Sequence, residues 1–157
     1  MVWGAFQQIW LKIMTNIHGN NKLVIVDSDA LIGLISENDL LHRRCMSVLD
    51  YIASYGLTTI VCQSTILEAS TTLSRVINRA DLAQRLLRDF ALLKQPEFSE
   101  IGAMSFMANT YNLKVSKKNT PFDYYVLAVA KINNINLVFS FDTFYKKQGL
   151  TLIESQV

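Results

Sequence analysis

The sequence predicts an α/β domain of three layers, with helices on both faces of a mostly parallel central sheet of four to five strands. Three observations predict it. Leu23-Val24-Ile25-Val26 and Leu137-Val138-Phe139-Ser140 are short apolar runs of the kind that form strands buried on both faces. Between them lie segments whose apolar residues recur at helical spacing. The 157-residue chain is half hydrophobic and 18% charged, enough apolar material for one core without disulfides or structural metal.

Taken in order, residues 1–18 place Trp3, Phe6, Trp10, Ile13 and Ile17 on one helical stripe, widened by Ile9 and Met14. His18-Gly19-Asn20-Asn21 reads as a stop and linker, so the chain divides into an N-terminal amphipathic helix and linker, 1–21, and a domain, 22–157. The stripe needs cover, from the domain's own surface or a twin subunit. Its polar side carries only Lys12, which disfavours a membrane surface.

After the first strand, Ser28 to Ser36 carries Ala30, Leu31, Leu34 and Ile35 at helical spacing, and Asn38 is placed to cap a second helix running through Leu41, Cys45, Val48, Leu49 and Ile52 to Gly56. Thr58 to Cys62 is rich in β-branched residues and reads as the second strand. Ser64 then stands as the cap of a helix with Ile66, Leu67, Ala69, Leu73, Val76 and Ile77. Ala80 to Lys94 continues as an amphipathic helix that Pro96 ends, with a brief strand expected at Phe98 to Ile101. Ala103 to Asn112 is helical in pattern, and Lys114 to Asn119 is a polar, basic loop. Thr120-Pro121, a cap followed by proline at the first helical position, opens a helix that Asn133-Asn134 should stop. The strand at Leu137, a helical turn at Thr143 to Lys147 and a last strand at Leu150 to Ile153 complete the chain.

Bulk properties narrow the function. A net charge of +2 is too small to argue nucleic-acid binding by long-range attraction alone. Cys45 and Cys62 lie in apolar segments without metal-ligand spacing, which suits core residues of a reducing cytoplasm. No apolar stretch reaches the roughly 18 residues of a membrane span, and the start lacks the features of a secretory signal. A cytoplasmic protein with no membrane span is therefore expected.

Chemistry concentrates in four acids, Asp27, Glu68, Asp123 and Asp142. Asp27 and Asp142 come at or just past the carboxyl ends of apolar runs, the edge at which open α/β sheets bind ligands. Each acid has a plainer explanation. Asp27 and Asp142 can cap the following helices, Asp123 falls in a first helical turn, and Glu68 lies about 200° round from Ile66, off the apolar stripe. Together they tell more, because two carboxylates at about 4 Å repel by roughly 4 kcal/mol at an effective dielectric near 20, which a divalent cation relieves. Metal-assisted phosphoester chemistry is the leading expectation.

Val26-Asp27-Ser28-Asp29-Ala30-Leu31, Glu68, the run Phe122 to Ala130 around Asp123, and Ser140-Phe141-Asp142-Thr143-Phe144 resemble the PIN domain family over roughly residues 22 to 155. The chain looks most like the compact VapC-type toxin ribonucleases. That resemblance implies a magnesium-dependent endoribonuclease, often homodimeric and held inactive by a small antitoxin protein, with Asp27, Glu68, Asp123 and Asp142 as catalytic and metal residues for Mg²⁺ or Mn²⁺. The pattern departs in the helix preceding the first strand and in Ser140, where the family commonly has Thr.

Ser28, Ser140, Lys117 and Lys118 are candidate contacts to the RNA substrate, with Arg75, Arg79, Lys146 and Lys147 behind them. Tyr124 and Tyr125 suit core or interface better than base stacking, and His18 and His42 lack a partner signature. Two alternatives remain open. A catalytically silent PIN-like scaffold would bind RNA or protein, and a haloacid-dehalogenase-like phosphatase would use Asp27-Ser28-Asp29 but lacks the later Lys and acidic loops.

Overall fold

A computed structural model of the chain describes residues 22–112 and 118–157. Four parallel strands, β1 (Leu23–Val26), β2 (Thr58–Val61), β3 (Leu137–Phe139) and β4 (Thr151–Leu152), stand in the order β2-β1-β3-β4. Seven helices are seen among the described residues: α1 (Ser28–Ile35), α2 (His42–Ser54), α3 (Gln63–Arg75), α4 (Ala80–Ala91), α5 (Ala103–Thr110), α6 (Pro121–Ile132) and α7 (Thr143–Lys147). The expected N-terminal helix and Lys117 lie outside the described residues.

Strand alternation divides the interior in two. Val24, Val26, Val61 and Phe139 face α1 to α4, packing with Leu31, Leu49, Ile66, Leu73 and Leu86. Ile25, Ile60 and Val138 face α5 to α7, packing with Val126, Val129, Phe144 and Tyr145. The sheet is thus covered on both sides, which is why its strands carry no charged residue. Helices α1 and α2 cross closely at Gly33, where a Cβ would stand 2.5 Å from Cys45 Sγ. Cys45 and Cys62 are free and buried; burial pushes the Cys45 thiol up to about 12 and the Cys62 thiol higher.

Helix boundaries follow local chemistry in some places and depart from the sequence expectation in others. Thr120 caps α6 by a reciprocal pair: its hydroxyl accepts from Phe122 N at 3.2 Å, and Asp123 accepts from Thr120 N at 2.5 Å. Beyond α2, Gly56 adopts φ +63°, the left-handed turn that suits glycine. Asn38 does not cap α2. That helix starts at His42, and Asp39 accepts from Leu41 N just before it. Nor does Ser64 cap α3, which begins one residue earlier at Gln63.

No strand forms at Phe98 to Ile101. Side-chain amides take the bonds a strand would make: Asn133 accepts from Ser99 N at 2.8 Å and donates to Ser99 O at 2.7 Å. Just upstream, Gln95 does the same for edge strand β2, accepting from Val61 N at 2.7 Å and donating to Val61 O at 2.9 Å. The last strand is shorter than expected, because Ile153 enters a 3₁₀ turn through Gln156.

Candidate active site

The strand order makes a switch point between β1 and β3. From β1 the chain moves to β2 on one side, then crosses to β3 on the other, leaving a crevice at the carboxyl ends of β1 and β3. Backbone pairing there ends with Val26 opposite Phe139 and Asp27 N donating to Phe139 O at 3.0 Å. Asp27 follows β1 and Asp142 follows β3, so the two acids are brought to one edge as their positions suggested.

Asp27 is 3% exposed. It occupies the N-cap position of α1, yet its carboxylate makes no cap bond. Its Oδ2 lies 3.1 Å from the Ser140 hydroxyl, while its Oδ1 is buried with no hydrogen-bond partner. Burial and then the charge of Asp29 push its carboxyl well above the usual range, with Asp123 and Glu68 adding to the push and the Ser28 amide opposing it. Capping therefore does not account for Asp27.

Asp142 does cap, its Oδ1 accepting from Phe144 N at 2.7 Å, and its own N–H donates to Ser140 Oγ at 3.1 Å. Asp123 directs Oδ2 at Thr120. Burial raises its pKa against those bonds, and Asp142 raises it further.

Glu68 corrects the periodicity argument. It is partly buried, with Oε2 wholly enclosed and unpartnered. Burial raises its pKa first, the Ser28 hydroxyl lowers it, and Asp123 and Asp29 raise it again. Its side of α3 lies about 60° round from Thr65, which is fully buried, and faces other carboxylates rather than water.

Two members of the cluster escaped the sequence reading. Asp29 is partly buried beside Ser140, and burial first, with Asp142 adding, holds it at about 6 against bonds from Phe141, Ser140 and Ala30. Only its spacing two residues after Asp27 hinted at it. Tyr145 is fully buried with its hydroxyl making no bond of normal geometry, although it lies close enough to Asp27 for that charge, after burial, to hold its proton.

Among the substrate candidates, Ser28 and Ser140 both orient carboxylates in the crevice. Lys118 is exposed in the turn before Thr120. Arg79 is turned away, forking onto Asp81 at 2.7 and 2.8 Å. Tyr124 is buried between Tyr111 and Phe144, while Tyr125 packs partly buried against the core and donates its hydroxyl to Glu100.

A divalent cation fits this chemistry. Hard oxygen donors, two of them buried without partners, on acids whose pKa is raised first by burial and then by one another's charge, are what such an ion satisfies. Among the described residues no three acidic, His or Cys side chains form a ready-made cage.

The PIN domain family profile matches residues 24–149. Among solved structures, VapC20 of Mycobacterium tuberculosis, a Sarcin-Ricin loop cleaving toxin, superposes with a TM-score of 0.60 and 14% identity, covering 82% of this chain and 96% of its own. At that identity the likeness speaks for the fold. No curated protein matches. The switch-point crevice, its acids and a family match spanning most of the chain lead to one statement: the chain belongs to the PIN domain family.

Proposed function

We propose that this protein is a metal-dependent endoribonuclease, hydrolysing RNA phosphodiester bonds as the toxin of a toxin-antitoxin pair. What supports the reading is that Asp27 feels the charge of Asp123 and Glu68, and Asp123 that of Asp142, at the end of the β1–β3 pair, with two of their oxygens buried and unsatisfied. Asp27, Asp123 and Asp142 would hold Mg²⁺ or Mn²⁺, and Glu68 would hold a water or complete the ligand set. When bound, the ion activates water and neutralises charge building on the phosphoryl group.

The chain's own residues do the rest. Ser140 fixes Asp27, and Ser28 fixes Glu68, so that neither acid must reorganise when substrate arrives. Lys117 and Lys118, in the loop leading to Asp123, would neutralise RNA phosphates flanking the cut bond. A small antitoxin, a homodimer and a cytoplasmic setting complete the proposal. No helix among the described residues is long and apolar enough to cross a membrane. Family membership leaves the phosphatase reading without support.

The test is cleavage of single-stranded RNA by purified protein with Mg²⁺ or Mn²⁺ against EDTA, beside Asp27→Asn and Asp123→Asn. Metal-dependent internal cuts by the parent, lost in both folded variants, are expected. Variants that cut like the parent would refute the assignment.

A further inference from the structure

We propose that Asp29, although outside the predicted metal set, is a positioning residue whose carboxylate continues the β1–β3 pairing past its last backbone rung and so sets where Asp142 and Ser140 stand relative to Asp27. The inference rests on the nuclease reading above and adds a residue to it.

The geometry is specific. After Asp27 N–H bonds to Phe139 O, α1 carries the chain away from β3 and backbone pairing stops. Phe141 N–H, which would need the next rung, donates instead to Asp29 Oδ2 at 2.8 Å. The same oxygen lies 3.1 Å from Ser140 Oγ, and Oδ1 accepts from Ala30 N at 2.6 Å, which fixes the carboxylate on the first turn of α1. Ser140 has one proton to donate and two carboxylate oxygens within 3.1 Å, on Asp27 and Asp29. Its oxygen meanwhile accepts from Asp142 N.

One side chain therefore ties three consecutive residues of the β3–α7 connection, directly or through Ser140, to the first turn of α1, where the chain leaves β1. Phe141 is held from its other side by the Arg44 guanidinium, 4.5 Å above its ring. Asp29 differs from Asp27 in the way that separates a support from a ligand. Both Asp29 oxygens already accept hydrogen bonds, whereas Asp27 Oδ1 has none.

Asn is nearly isosteric and, although its amide nitrogen would meet the Ala30 N–H and lose that bond, its oxygen can keep both the Phe141 N–H and the Ser140 hydroxyl without charge. Ala cannot. The experiment compares the full chain with Asp29→Ala and Asp29→Asn by two readouts: Mn²⁺ binding without RNA, from the electron paramagnetic resonance signal of free ion, and kcat and KM for RNA cleavage. Thermal unfolding checks that each variant is folded. Asp29→Ala should weaken Mn²⁺ binding and lower kcat by about 10- to 100-fold each, with KM little changed, and Asp29→Asn should recover most of both losses.

An Asn variant as impaired as Ala overturns the proposal, because charge rather than hydrogen bonding would then be what matters. An Ala variant altered only in thermal stability overturns it too, leaving Asp29 a packing residue. A parent chain that neither binds Mn²⁺ nor cuts RNA overturns the nuclease reading itself, and this is distinguishable because it appears before any substitution.

Discussion

Raising the pH should weaken the metal-free protein, the reverse of what a set of salt-bridged carboxylates would do. Burial and neighbouring charge hold Asp29 at about 6 rather than 3.8, and act in the same direction on Asp27, Glu68 and Asp123. A carboxyl group whose native pKa lies above its unfolded value binds its proton more tightly when folded. Its stabilisation is complete below the unfolded value near 4 and is lost as pH rises through the native value. For Asp29 alone the displacement corresponds to about 3 kcal/mol, or roughly 6 to 12 °C in Tm for a domain of this size. The assay is urea and thermal unfolding in EDTA across about pH 4.5 to 7.5, repeated with Mn²⁺. Stability should fall across the interval without metal, and added Mn²⁺ should restore it most at the upper end. A flat or rising profile in EDTA would contradict the picture of acids forced together.

Other consequences follow from single contacts. Gly33→Ala puts a methyl 2.5 Å from Cys45 Sγ where α1 crosses α2, and should cost about 1–3 kcal/mol by chemical denaturation. Gln95→Ala leaves both the N–H and the carbonyl of buried Val61 without their present partner on edge strand β2; a loss of about 2 kcal/mol or more is expected, and less than half that would mean water replaces the amide readily. Tyr145→Phe removes a buried hydroxyl that makes no hydrogen bond of normal geometry, so Tm should hold or rise, and a clear drop would reveal a bond to Asp27 that matters in solution.

Much of this was legible in the sequence because it depends on local signals. Uniform apolar runs ending near Asp27 and Asp142 located two strands and the edge to which both acids are brought, since strands covered on both faces leave acids only at their ends. Thr120-Pro121 announced α6 because capping is settled within four residues. What failed depended on tertiary partners. Phe98 to Ile101 has strand-like composition, but side-chain amides from Gln95 and Asn133, placed by the rest of the fold, take up the backbone groups nearby. Glu68 looked solvated because periodicity separates apolar from polar faces, and here a polar face is enclosed by other acids. Asp29 stood out only by its spacing from Asp27, and its bonds to Ser140 and Phe141 span more than a hundred residues of chain.

The central claim is that these carboxylates close on a divalent ion at the β1–β3 switch point. Crystals soaked in Mn²⁺ should show an anomalous difference peak in the crevice, touching Asp27 and Asp142 and vanishing in Asp27→Asn. Manganese found only elsewhere on the molecule, or a crevice peak that persists in that variant, would contradict the account.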